Sequence, residues 1–331
     1  MSHDSVSLKE LKATGKHLNR PECVLAHRSG YLFTSSWEGN GGVSIIAPNG
    51  DTRTLLNQSD TILRPNGIAL EADGNFLLAH LGEKVGGLYR LFPDGQVEPV
   101  LTHMGAMPIP PSNFPVKDQS GRIWLSISTT VMPRAVDYRK HANTGFIILI
   151  DKNGARVVAD QLGYANEVVI SPDQQYLYVN ETFARRLSRF TITPHGALTN
   201  REVVAEFEAG DFPDGLILDS ESNFWVTSIV SNRVIKIDQK GNRHVVLEDA
   251  DAEHLEMVER AWREDEMGRP HLDNAQSKLL GNISSLAFGG DGMRTAYLGS
   301  LLGKEIYQFD AGISGIVPVH YDADISIHLR R

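Results

Sequence analysis

The sequence predicts an all-β chain folded as a six-bladed β-propeller, a single domain over residues 1–331 with a helical insertion at about 248–281. Two observations carry this expectation. First, six short apolar runs are each preceded by one polar residue in the same register, at Glu22, Asn66, Asn113, Asn166, Asp214 and Ser284. Their spacings are 44, 47, 53, 48 and 70 residues. Four-stranded propeller repeats run roughly 40 to 50 residues, so six blades fit and the last interval holds an insertion. Second, the same four-strand pattern follows each register residue, with turn residues recurring at matching places.

The innermost strand of each repeat starts at the register residue, as in Asn66 to Leu70 or Asp214 to Leu218. A tight turn follows, with Ser29-Gly30, Asp73-Gly74, Ser120-Gly121 or Asp291-Gly292 supplying the positive φ of a hairpin; blades four and five use Asp173-Gln174 and Glu221-Ser222. Second strands such as Ile123-Trp124-Leu125-Ser126 and Phe224-Trp225-Val226-Thr227 are rich in aromatic and β-branched residues, as a half-buried pleated surface requires. Third strands end in a second glycine turn in five repeats, at Gly50, Gly95, Gly154, Gly196 and Gly241, and the fourth strand follows. The segment Leu8 to Lys12 is expected to supply the outer strand that closes the ring.

In such blades the register residues share one face with the connections between second and third strands. Both long connections fall there. One runs from Thr129 to Thr144 in blade three; the other is the acidic insertion, in which Leu255, Val258 and Trp262 have helical spacing and Asp251 is a plausible N-cap. Loops on a rigid scaffold are where function concentrates.

Composition narrows the partners. With 32 Lys+Arg against 41 Asp+Glu and a net charge of −9, no broad cationic surface for nucleic acid or anionic lipid is expected. Cys23 is the only cysteine, so no internal disulfide and no cysteine-based zinc site can form. Residues 1–6 lack a signal-peptide pattern and no long apolar run occurs, so a soluble, cytoplasmic protein is expected.

Five of the six register residues carry a side-chain carbonyl or carboxylate oxygen. Radial repetition converges them on the axis, and convergent oxygens suit a hard divalent cation. Glu22, Asn113, Asn166 and Asp214 offer two carboxylates and two amides, a set that favours Ca²⁺ ahead of Mg²⁺, Mn²⁺ or Zn²⁺.

The strings Arg64 to Ala69, Asn166 to Val179, Phe212 to Leu216 with Phe224 to Val226, and Leu286 to Gly290 resemble the gluconolactonase, regucalcin (senescence marker protein) and luciferin-regenerating-enzyme family over nearly the whole chain. The resemblance implies the same four metal ligands, a metal-dependent lactonase acting on a small lactone, Asp214 as general base toward water, and Asn66 beside the metal as a substrate or water contact. Pro111 stands where sugar-lactonase relatives tend to place an arginine, and bulky Phe114 follows Asn113, which argues against gluconolactone itself. Arg134, Arg139 and Arg185 on ligand-face loops are candidates for binding a carboxylate, sulfonate or sugar acid, with His141, His80 and His103 as further loop candidates. The expected substrate is therefore sugar-derived or carboxylated. The alternatives are another ester or phosphotriester hydrolase at the same metal, and a non-catalytic calcium-binding or interaction propeller.

Overall fold

The computed structural model describes residues 5–329, so residues 1–4 of the N-terminal reading, together with 330 and 331, lie outside the described part. Six four-stranded antiparallel sheets form in chain order. Their innermost strands are Val24–Ala26, Pro65–Leu70, Ser112–Lys117, Ala165–Ile170, Asp211–Leu218 and Ile283–Gly289. The chain is a six-bladed β-propeller.

The ring closes through its N-terminal segment. Strand Lys12–Thr14 pairs with Ile306–Asp310 as the outer strand of blade six, while Leu8–Glu10 form a short 3-10 turn rather than part of that strand. Closure of this kind ties the N-terminal segment into the last blade and leaves only a short edge strand there. The turn expectations hold in detail: Gly30, Gly74 and Gly121 have φ of 82°, 86° and 79°, and where glycine is replaced, Gln174 and Ser222 adopt the same left-handed conformation at 60° and 62°. An unforeseen small hairpin, His103–Met104 with Met107–Pro108, precedes blade three and carries His103 away as an exposed residue.

Apolar clusters fill the seams between neighbouring blades. Phe33 and Phe76 meet at 5.2 Å between blades one and two, and Trp225 and Phe288 at 5.3 Å between blades five and six. The two buried tryptophans are polar-capped, Trp124 by Asp118 at 3.0 Å and Trp225 by Asp219 at 2.9 Å, each carboxylate also bonding its own turn. After the last strand the chain crosses the far face. It bonds Leu218 through Ile316, Ala72 through Asp324 and Gly74 through His328, and it closes an apolar channel cavity of about 410 Å³. Among the described residues no helix is long and apolar enough to cross a membrane.

The insertion packs on the opposite face. Helix α1, Ala252–Arg263, starts at Asp251, whose side chain accepts from the His254 amide at 2.8 Å, and a second helix α2, Arg269–Asp273, follows. A bidentate pair docks α1: Arg185 donates to both Glu259 oxygens at 3.1 and 2.5 Å, and Glu259 also accepts from the Gly210 amide. The Arg185 guanidinium lies between the rings of Trp262 and Phe212, at 3.7 and 4.2 Å. With side chains only 6% and 11% exposed, the pair is desolvated, and removing one partner strands a buried charge. Arg185→Ala is expected to cost about 3 kcal/mol, read by urea unfolding; an unchanged midpoint would remove the docking role.

Candidate metal centre

A β-bulge lies at the register residue in blades two to six, whereas in blade one Glu22 precedes a strand, Val24–Ala26, that pairs without a slip. The pairing of first and second strands slips at Pro65/Ile68, Ser112/Phe114, Ala165/Val168, Pro213/Leu216 and Ile283/Ser285, each slip spanning the register residue. An extra residue at these points turns the local backbone and redirects a side chain, here toward the axis. In blades two and five the following residue is glycine because space demands it. A Cβ on Gly67 would stand 2.5 Å from Phe114, and one on Gly215 would stand 2.7 Å from the Ser285 backbone.

Glu22, Asn66, Asn113, Asn166 and Asp214 all gather at the axis, 2, 3, 4, 5 and 3% exposed. Asn66 donates to Glu22 Oε1 at 2.7 Å and to Asn113 Oδ1 at 3.3 Å. The amide nitrogens of Asn113 and Asn166 donate to Ser128 at 2.9 Å and Thr182 at 3.0 Å, which fixes the amide orientation; Asn166 Oδ1 is left without a partner, whereas Asn113 Oδ1 accepts from Asn66. Thr182 in turn donates to the Pro213 carbonyl, and Asn180 to those of Asp214 and Gly215, bracing the bulge that presents Asp214. Ser284 contributes no carboxylate; its hydroxyl donates to the Glu22 backbone carbonyl at 2.8 Å.

Three of the four ligand candidates keep a buried oxygen with no hydrogen-bond partner: Glu22 Oε2, Asn166 Oδ1 and Asp214 Oδ1. Orphaned buried acceptors cost about 1 to 3 kcal/mol each unless something electropositive meets them. A divalent cation does so, and the donor set fits one. Half of these donors are amides; among the described residues no group of three or more His, Cys, Asp or Glu side chains is arranged to hold a metal.

A third carboxyl group, Glu167, was not singled out from the sequence because it is not a register residue. The blade-four bulge turns it inward as well, where it accepts from the Leu216 amide at 2.9 Å and leaves Oε1 unpartnered. A polar residue where blades two and five carry glycine was the available signal. Burial pushes the Glu22 carboxyl up to about 7, against the pull of the Arg20 charge. Asp214 is raised well above the carboxylate range by burial and then by the charges of Glu22 and Glu167.

The remaining candidates separate. Arg134 opens a 3-10 turn on the blade-three loop and is half-buried. Arg185 is not available to a substrate, because its guanidinium is committed to Glu259 beneath α1. Arg139 is likewise withdrawn, donating to the carbonyls of Tyr138 at 3.0 Å and Met267 at 2.6 Å, which ties the blade-three loop to the insertion. His141 is exposed on that loop. His80 accepts from the Arg64 amide at 2.9 Å, and its burial lowers its pKa to about 4, so it is a neutral structural ring.

The profile of the SMP-30/Gluconolactonase/LRE-like region matches residues 21–250. Lactonase drp35 of Staphylococcus saprophyticus is 25% identical over 192 residues, 54% of each chain, so the chain matches about half the length of that relative. Among solved structures, the gluconolactonase XC5397 of Xanthomonas campestris superposes with a TM-score of 0.65 at 18% identity, over 91% of this chain and 89% of that one. The calcium-binding protein regucalcin of Agrobacterium tumefaciens gives 0.60 at 16%, over 91% and 92%. At these identities the structural likeness is one of fold.

Proposed function

Since the chain belongs to the SMP-30/Gluconolactonase/LRE-like family, we propose that it is a metal-dependent lactonase that opens a small, sugar-derived or carboxylated lactone. The observation that carries this is the convergence of three unpartnered buried oxygens, from Glu22, Asn166 and Asp214, on the propeller axis. Glu22, Asn113, Asn166 and Asp214 are the residues that would hold the cation. Ca²⁺ suits the all-oxygen set best, and the calcium-binding neighbour supports that choice. Bound there, a divalent cation supplies Lewis-acid polarisation of the ester carbonyl.

The chain's own residues account for the rest. Asp214 takes the proton of the attacking water, a role suited to a carboxylate whose basicity burial has raised. Asn66 uses its amide nitrogen to orient Glu22 and Asn113, leaving its carbonyl oxygen for substrate or water. The rings of Tyr138, Tyr164 and Phe183, with Tyr138 and Phe183 stacked at 4.3 Å, wall the mouth beneath the insertion and limit access of bulk water.

The test is proton release in a pH-stat on aldono-, acidic and aliphatic lactones, with a phosphotriester as comparator, using chelator-stripped protein reloaded with single divalent ions. Lactone hydrolysis that returns only on reloading is the expected result. Turnover of the phosphotriester alone would replace the lactone, and silence with tight metal binding would leave a non-catalytic calcium propeller.

A further inference from the structure

Arginines around the mouth of the centre fall into two groups. Arg64, Arg139 and Arg185 each donate from the guanidinium to groups of the fold: Arg64 to the carbonyls of Gly39 and Leu63, Arg139 to those of Tyr138 and Met267, and Arg185 to Glu259, with only its Nε left unpartnered. Arg20 and Arg134 do not. Among the described residues neither guanidinium has a hydrogen bond or an ion pair, and Arg20 Nε is buried without a partner.

Arg20 is held in place by its backbone and by stacking. Its φ is 57°, its carbonyl accepts from the Glu22 amide at 2.8 Å, and its guanidinium lies 4.4 Å from the centroid of Trp37. Trp37 is itself pinned by a 2.8 Å bond from its indole to the Pro65 carbonyl, so the platform is rigid. Arg134 opens a short 3-10 turn anchored by Asp137, which accepts from Thr129 at 2.6 Å. Arg269, at the start of α2, is paired with Asp273.

These three side chains come from the N-terminal segment, the blade-three loop and the insertion, yet their charges meet. Arg20 feels both Arg134 and Arg269, and Arg134 acts on Glu22 and on the buried Tyr164. Like charges so placed repel, and desolvated guanidinium donors without acceptors are costly. The nearest acid, Glu22, makes no ion pair with Arg20, and its free oxygen belongs to the proposed cation. In a chain of net charge −9 this is a local reversal of sign that needs an anion to complete it. Oxyanions that offer two oxygens side by side match the guanidinium fork, and tryptophan-backed arginine presents that fork in one orientation.

We propose that Arg20 and Arg134, with Arg269 beside them, form an oxyanion-binding site at the mouth of the centre, so that the substrate is a lactone bearing a carboxylate, sulfonate or phosphate remote from its ester. This deepens the lactonase reading and rests on it for the word lactone; the anion site itself stands on the arginines. Arg139 and Arg185, the loop arginines most visible in the sequence, take no part.

Two arms separate the site from the reaction. In the first, calcium-loaded protein is titrated calorimetrically with glucuronate, glucose 6-phosphate, glucose 6-sulfate and neutral glucose in a buffer free of competing oxyanions. At least one charged sugar is expected to bind about tenfold or more tightly than glucose, with the preference collapsing in Arg20→Gln and in Arg134→Gln. In the second arm, the ratio of kcat/KM for D-glucaro-1,4-lactone over D-glucono-1,4-lactone, which differ by a carboxylate in place of CH₂OH, is expected to fall about tenfold in the same variants. Arg134 makes no bond within the fold, so its variant keeps the test open should Arg20→Gln fail to fold. Charge-selective binding without turnover of either lactone would retain the anion site and remove the lactonase reading. Equal binding of charged and neutral sugars, or a preference that survives both substitutions, would overturn the inference even if neutral lactones are hydrolysed.

Discussion

Asp214→Asn is expected to lower lactone hydrolysis by about 10³-fold or more while the propeller stays folded. The exchange is nearly isosteric, and both backbone anchors of the site, the Asn180 bonds to the carbonyls of Asp214 and Gly215, are untouched. What changes is charge. The amide removes the base and one of the two negative ligands, and it also relieves repulsion from Glu22 and Glu167. Metal affinity therefore falls, whereas the melting temperature of metal-free protein holds or rises. Calorimetry on wild type and variant, with and without chelator, checks both halves. Retained turnover would remove Asp214 as the base, and a collapse of metal-free stability would assign it a structural role instead.

The second large effect is the coupling of cation, protons and stability. Glu22 in the metal-free fold titrates near 7 rather than 4.5, and Asp214 well above its ordinary value. For groups whose folded pKa is raised, the stabilising form is the protonated one. Their contribution is complete below the unfolded pKa and is lost as pH climbs through the folded value. Metal-free protein is thus expected to lose stability between about pH 4.5 and pH 7 and above. A cation reverses the penalty by binding the carboxylates, so it releases protons on binding and its affinity rises across the same window. At a hundredfold excess over Kd it adds about 2.7 kcal/mol. Thermal melts at pH 5.5 and 7.5, and calorimetry in two buffers of different ionisation enthalpy, give the readout. A metal-induced shift that is the same at both pH values, with no proton released, would contradict the assignment of these two carboxylates as ligands.

How the site was legible follows from what each residue depends on. The axial position of Glu22, Asn66, Asn113, Asn166 and Asp214 was readable because radial symmetry converts a shared register into a shared place. Asp251 was readable as a helix cap because capping involves only residues three apart, as its bond to His254 shows. Glu167 was not, since its inward turn comes from a bulge whose existence depends on pairing with Tyr176–Glu181. The outer strand of blade six was placed a few residues early because its register is set by a partner nearly three hundred residues away, Lys12 opposite Gln308.

The sequence by itself determined the repeat, the turns and the ring of oxygens, because strand period and turn φ are local properties of side chains and backbone. Only the tertiary structure decided what the arginines do. Arg20, Arg134, Arg139 and Arg185 are chemically identical side chains, and what separates them is which acceptors the packed chain brings within reach. Glu259, 74 residues on, captures Arg185, and the Met267 carbonyl, 128 residues on, captures Arg139. Arg20 and Arg134 are left with no side-chain hydrogen bond or ion pair among the described residues, Arg20 stacked on Trp37 with its Nε buried and unpartnered. A guanidinium's role is set by the acceptors around it, and those are known only once the loops have closed over the ring.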